Sequence, residues 1–110
     1  MYVRAARFEG MEQAQMEEEI AELRRQVEAG ARGETPEGAP PEAKVLMETV
    51  VRFMQLVDRE SGNSLALSFC RTEDDLRRAD EALNAMTPPA GAGRRTSVDR
   101  YEVAIDQSFG

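Results

Sequence analysis

Two apolar runs flank a polar, glycine-containing turn in residues 50 to 70, VVRFMQLVDRESGNSLALSFC. Successive side chains of a strand point to opposite faces. In the first run Val50, Met54 and Leu56 are therefore expected on one face and Val51, Phe53 and Val57 on the other, with Arg52 and Gln55 as polar exceptions. In the second run Ser64, Ala66, Ser68 and Cys70 are small where Leu65, Leu67 and Phe69 are large. The pattern predicts a β-hairpin that is apolar on both faces. A small antiparallel sheet ordinarily keeps one face wet, so both faces of this one need cover: helices on one side and a second copy of the chain on the other.

The rest of the chain supplies the helices and two more strands. YVRAARF, residues 2 to 8, alternates as a strand and is broken at Gly10. Met16, Ile20, Leu23 and Val27 draw one stripe along a helix from Glu12 to about Ala29, with acidic residues in its first half and Arg24 and Arg25 toward its end, the order the helix dipole favours. Residues 30 to 41, GARGETPEGAPP, offer almost nothing to bury and read as a flexible loop. PEAKVLMETV reads as a helical turn leading into the second strand, since proline suits a helix start. After the hairpin, Thr72 and Asp75 resemble a capping box, and Leu76, Ala79, Leu83 and Met86 form the next helical stripe. Glu73 with Arg77 and Asp74 with Arg78 are spaced as ion pairs on that helix, and Pro88 and Pro89 end it. SVDRYEVAI, residues 97 to 105, alternates as a fourth strand.

The order βαββαβ predicts an α+β ferredoxin-like sandwich in a single domain, 1–110: a four-stranded antiparallel sheet with two helices on one face. The uncovered face carries too much apolar surface for a monomer, and a twofold homodimer would bury the same patch twice.

Composition narrows the function classes. Twenty-one acidic against 14 basic side chains leave a net charge of −7, with no basic face to attract nucleic acid or an anionic membrane. Cys70 is the one cysteine, so no intrachain disulfide can form, which suits a reducing cytoplasm. No apolar run approaches the roughly 20 residues of a membrane span. The chain contains no histidine, which excludes an imidazole ligand to haem, a Ser-His-Asp or Cys-His arrangement, and the common zinc sites. No P-loop, GxGxxG or GxSxG motif occurs. Neither a metal nor a cofactor is expected.

The opening strand MYVRAARFEG, the hairpin LVDRESGNSLALSF running into TEDDL, and the terminal strand SVDRYEVAI resemble the dimeric α/β-barrel superfamily, in its antibiotic biosynthesis monooxygenase-like branch. The resemblance implies a small homodimer. The activities it brings into view are cofactor-free oxygenation of polycyclic phenols, haem degradation and lactone isomerisation, beside many members with no known activity. The missing histidine argues against haem degradation. Tryptophan is also absent, and Cys70 stands where similar chains often carry it, which separates this chain from the monooxygenase pocket. The candidate pocket residues are Arg52, Ser68, Cys70 and Tyr101. Arg52 is either a dimer-edge or rim ion-pair partner or a cation that orients a phenolate or carboxylate in the cavity between sheet and helices. The small residues at 64, 66, 68 and 70 either let a helix approach or leave room for a ligand. Cys70 is either a small buried hydrophobe or a thiolate, and Tyr101 a packing aromatic or a proton donor. Three readings follow: a monooxygenase-like enzyme acting on a small aromatic molecule, a non-catalytic small-molecule-binding module, and a structural dimer.

Overall fold

A computed structural model describes residues 1–35, 38–87 and 93–110. The chain is α+β. Strands β1 (Tyr2–Glu9), β2 (Val50–Asp58), β3 (Asn63–Cys70) and β4 (Arg94–Glu102) form one antiparallel sheet in the order β2-β3-β1-β4. Helices α1 (Gln13–Ala31) and α2 (Glu42–Thr49) connect β1 to β2, and α3 (Glu73–Ala85) connects β3 to β4. The two outermost elements of the chain thus meet at the sheet's middle and edge, a strand order compatible with a ferredoxin-like fold.

Three helices occur where the pattern predicts two and a turn. The segment before β2 is a full helix because Val45 and Leu46 are half-buried and Leu46 packs on the core. Thr49, fully buried at its last position, donates from Oγ1 to the Val45 carbonyl at 2.7 Å. α2 packs side by side with α3, and α3 lies on β1 and β3. The core forms at this contact: Cys70, Leu76 and Ala79, with Tyr2, Leu46 and Val50 against them.

α3 begins as its capping residues predict. The Thr72 hydroxyl accepts from the Asp75 backbone N–H at 3.0 Å, and Glu73, Asp74 and Asp75 fill the positive first turn. Its ion pairs differ by one residue from the expected spacing. Arg77 pairs with Asp74, and Arg78 reaches Asp75 at 3.7 Å and, across to α2, Glu48 at 3.0 Å. The helix ends at Ala85, ahead of Pro88 and Pro89, which lie outside the described residues. Of the loop expected over 30–41, α1 takes the first two residues, and Pro36 and Glu37 lie outside the described residues.

Among the described residues, α1 is anchored by hydrogen bonds at its first turns. The β2–β3 turn closes by a hydrogen bond from the Gly62 N–H to the Asp58 carbonyl at 3.0 Å, with Asp58 Oδ1 accepting from the Glu60 N–H at 3.0 Å. The tip then holds the start of α1: Met11 N–H donates to the Gly62 carbonyl at 3.1 Å, Gln13 Nε2 to the Arg59 carbonyl at 2.8 Å, and Arg59 Nε to Glu17 Oε1 at 2.8 Å. Gly62 has φ of 75°, and a Cβ there would come within 2.3 Å of the Met11 carbonyl oxygen, so the approach requires glycine. Met16 is buried, but Ile20 and Leu23 are half-exposed and Val27 is exposed. The stripe that predicts a helix thus buries only its first residue.

β4 runs three residues earlier than the alternation of 97–105 suggests, because Gly93 turns the chain at φ of 87° beside Glu9 and lets Arg94 and Arg95 pair across a β-bulge with Glu9 and Phe8. At the other end the ladder stops after one bond from the Val103 N–H to the Met1 carbonyl at 2.9 Å. The residues beyond are exposed, Ile105 at 87% and Phe109 at 94%.

Candidate functional site

Strand register sorts the inward and outward residues. Under the helices stand the rows Val50–Cys70–Tyr2–Glu102, Phe53–Ser68–Arg4–Arg100 and Gln55–Ala66–Ala6–Val98. On the opposite face stand Arg52–Phe69–Val3–Tyr101, Met54–Leu67–Ala5–Asp99 and Leu56–Leu65–Arg7–Ser97. A register shift between Val50 and Arg52 inserts Val51 as an extra residue. Val50 therefore joins Phe53, Gln55 and Val57 on the helix side, where strict alternation places it with Met54 and Leu56.

The four candidate residues fall into two pairs on opposite sides of the sheet. Ser68 and Cys70 are buried beneath the helices. Cys70, 0% exposed, belongs to the central cluster. Burial pushes its thiol pKa up, and the nearby Asp75 carboxylate adds to the shift. A thiol held neutral this way is a poor nucleophile. Arg52 and Tyr101 occupy the two ends of one row on the open face, so Arg52 does not enter the space between sheet and helices, one of the two places expected for it. Three strand spacings separate them, about 14 Å. The Arg52 guanidinium lies over the Phe69 ring, 5.6 Å from its centroid, within reach of a cation–π attraction.

The helix side has a polar centre that the sequence pattern does not single out. Arg4, 3% exposed, donates from Nε to Asp80 Oδ1 at 2.8 Å and from its terminal nitrogen to Asn84 Oδ1 at 2.8 Å. Asp80 and Asn84 are one turn apart on α3, and Arg100 stands 3.6 Å from the other Asp80 oxygen. The small Ser68 beside Arg4 in the sheet leaves α3 room to approach. Among the described residues no buried side-chain nitrogen or oxygen lacks a partner, so this cluster is satisfied internally and clamps α3 to β1. Its signal in the sequence is Arg4 itself, a charge in phase with Tyr2 and Ala6.

A shallow depression of about 280 Å³ lies at the hairpin tip, lined by Gln13, Met16, Glu17, Arg59 and Glu60. None of the four candidate residues borders it. The Arg59 guanidinium bonded to Glu17 holds that carboxyl below the usual carboxylate range, so the two charges there answer each other. No helix among the described residues is long and apolar enough to cross a membrane.

Compared with known protein families, curated proteins and solved structures, the chain matches none of them.

Proposed function

We propose that the chain works as a homodimer whose open sheet faces close on each other, a small dimeric α/β barrel of the antibiotic biosynthesis monooxygenase-like kind. One observation carries this reading. Val3, Ala5, Met54, Leu56, Leu65, Leu67 and Phe69 form a contiguous apolar field across three strands, and no element among the described residues packs over it. The chain exposes 7571 Å², against about 6,100 Å² for a compact monomer of 12.2 kDa. The excess, about 1,500 Å² per chain, exceeds the roughly 800 Å² that each partner loses in a standard interface, and the exposed α1 and the residues after β4 hold part of it. Sedimentation equilibrium tests the reading: a mass near twice that of the chain at micromolar concentration supports it, and a monomer there overturns it.

A second reading, the enzymatic one, rests on Arg52. Its guanidinium is exposed at the edge of an apolar, aromatic field, the surroundings in which a cation best stabilises a bound phenolate. A cofactor-free oxygenase would bind an electron-rich phenol there as its anion, which can pass an electron to oxygen without help from a metal or flavin. Oxygen uptake with a panel of polycyclic phenols, lost in Arg52→Met while the dimer persists, is the expected outcome. No uptake and no retained ligand leaves a binding or structural dimer.

A further inference from the structure

We infer that the dimer's twofold axis runs parallel to the strands, between β3 and β1, so that Arg52 of each protomer meets Tyr101 and Asp99 at the β4 edge of the other. This rests on the sheet-to-sheet homodimer proposed above and adds its geometry. Sheets that stack with nearly aligned strands admit two in-plane twofold axes. One runs along the strands: it keeps each row opposite the same row and exchanges β2 with β4 and β3 with β1. The other runs across the strands: it lays every strand on its own copy and reverses the rows.

Side-chain size separates the two. The β3 residues Leu67 and Phe69 are large and their β1 neighbours Ala5 and Val3 smaller, while Leu65 stands beside Arg7 at the end where Arg7 reaches Glu9. The axis along the strands sets Phe69 on Val3 and Leu67 on Ala5, large against small, as dense packing requires. The axis across them sets Leu67 on Leu67 and Ala5 on Ala5, a collision beside a gap.

Charge separates them again. The axis along the strands brings the β2 edge, with Arg52, over the β4 edge, where Tyr101 stands in the same row and Asp99 one row on, about 7 Å further. Arginine spans that distance and finds both a ring face and a carboxylate. Passed through the middle row, Met54–Asp99, the axis across the strands sets Asp99 opposite Asp99, a like-charge contact that interfaces avoid, and leaves Arg52 over Leu56.

The residues that follow β4 agree with the first axis. It makes β4 antiparallel to the other protomer's β2, so residues 103–109 run past that protomer's Arg52 toward the start of its β2 and the end of its α2. Val51 and Met47 are exposed there, at 41% and 39%. Ile105 and Phe109 are then the side chains that cover them.

Reciprocal charge reversal tests the axis. Arg52→Asp alone and Asp99→Arg alone each place like charges at both symmetry-related contacts, and each should weaken the dimer roughly tenfold or more in sedimentation. Mixing the two single variants restores opposite charges at both contacts, so the mixture should form a heterodimer of near wild-type affinity. The double variant Arg52→Asp with Asp99→Arg should dimerise as the wild type does. Both positions are exposed, and circular dichroism of each variant checks that the fold survives. A wild-type dimer in which neither mixing nor the double variant rescues association overturns the axis and leaves the dimer standing. A monomeric wild type overturns the dimer reading on which the axis depends.

Discussion

The two faces of this sheet are made from the same strands, yet they solve opposite problems. On the helix side β3 carries small residues, Ser64, Ala66, Ser68 and Cys70, that let α3 come down onto it, and the buried Arg4 is held by Asp80 and Asn84. On the other side β3 carries the large Leu65, Leu67 and Phe69 with no helix among the described residues over them, and of the exposed arginines there Arg7 reaches Glu9 while Arg52 has a ring beneath it and solvent above. Two arginines on adjacent parts of one sheet therefore carry different information. Arg4 records a contact complete within the chain, and Arg52 stands at the edge of the face proposed to pair with a second copy.

Breaking the closed side should cost most. Asp80→Ala removes the carboxylate and leaves Arg4 buried against α3, for which about 3 kcal/mol of stability is the expected loss, lowering the melting temperature by roughly 15 °C. Thermal unfolding followed by circular dichroism measures it. An unchanged melting temperature would mean that Arg4 reaches water and that the clamp does not hold α3.

Exchanging side-chain size between the faces sharpens the contrast. Ser68→Leu should overpack the space under α3 and destabilise the fold by about 2 kcal/mol, while Leu67→Ser, its neighbour on the open face, should weaken self-association and leave monomer unfolding less affected. Urea unfolding at a concentration where the wild type is dissociated, together with sedimentation, separates the two effects. Equal losses of fold stability would show that the faces are not different in kind.

Smaller effects are expected at the start of α3 and at the thiol. Thr72→Ala removes the cap on the Asp75 N–H and should cost about 1 kcal/mol, read from the urea midpoint. Cys70, buried with its pKa raised, should resist a thiol reagent at pH 8 and react fully once the chain is unfolded. The fold holds this thiol protonated, whereas the unfolded chain ionises it above about pH 8.5. Its contribution is accordingly complete below that pH and declines as pH rises toward the folded thiol's higher value. Rapid labelling of the native protein would contradict the burial.

The hairpin, the capped helix and the alternating strands were legible in the sequence because each is a local pattern: periods of two or of 3.6 residues, a threonine three places before an acidic residue, a glycine at a turn. The strand order is the one that two right-handed strand–helix–strand crossovers give. What the pattern did not carry is non-local. Val50 changes face because a bulge at Val51 interrupts alternation, and no residue type announces that bulge. The stripe on α1 predicted burial along its length, but among the described residues the hydrogen bonds that fasten the helix lie where Met11, Gln13 and Glu17 meet the hairpin tip. Ser68 and Cys70 share a face with each other, as alternation requires, and it is a different face from that of Arg52 and Tyr101. Sequence reasoning grouped the four as polar residues on strands, and only the register separates them. Asp80 and Asn84 are 76 and 80 residues from Arg4, too far for any local rule to pair them.

The position of β1 has a consequence for how the molecule assembles. It fills the slot between β3 and β4, yet its ladder partners are the hairpin's second strand, some 60 residues on, and the strand that runs to Glu102. The β2–β3 pair closes through a short turn and forms on the timescale of a local hairpin, whereas both ladders of β1 must wait for long loops to close. Until they do, β3 presents a bare hydrogen-bonding edge beside Leu65, Leu67 and Phe69. A nascent chain is then most exposed to wrong pairing at this edge, before its own first strand returns to cover it. Substitutions at Phe53 should therefore slow folding and those at Val98 should mainly speed unfolding, a contrast that stopped-flow kinetics in urea resolves.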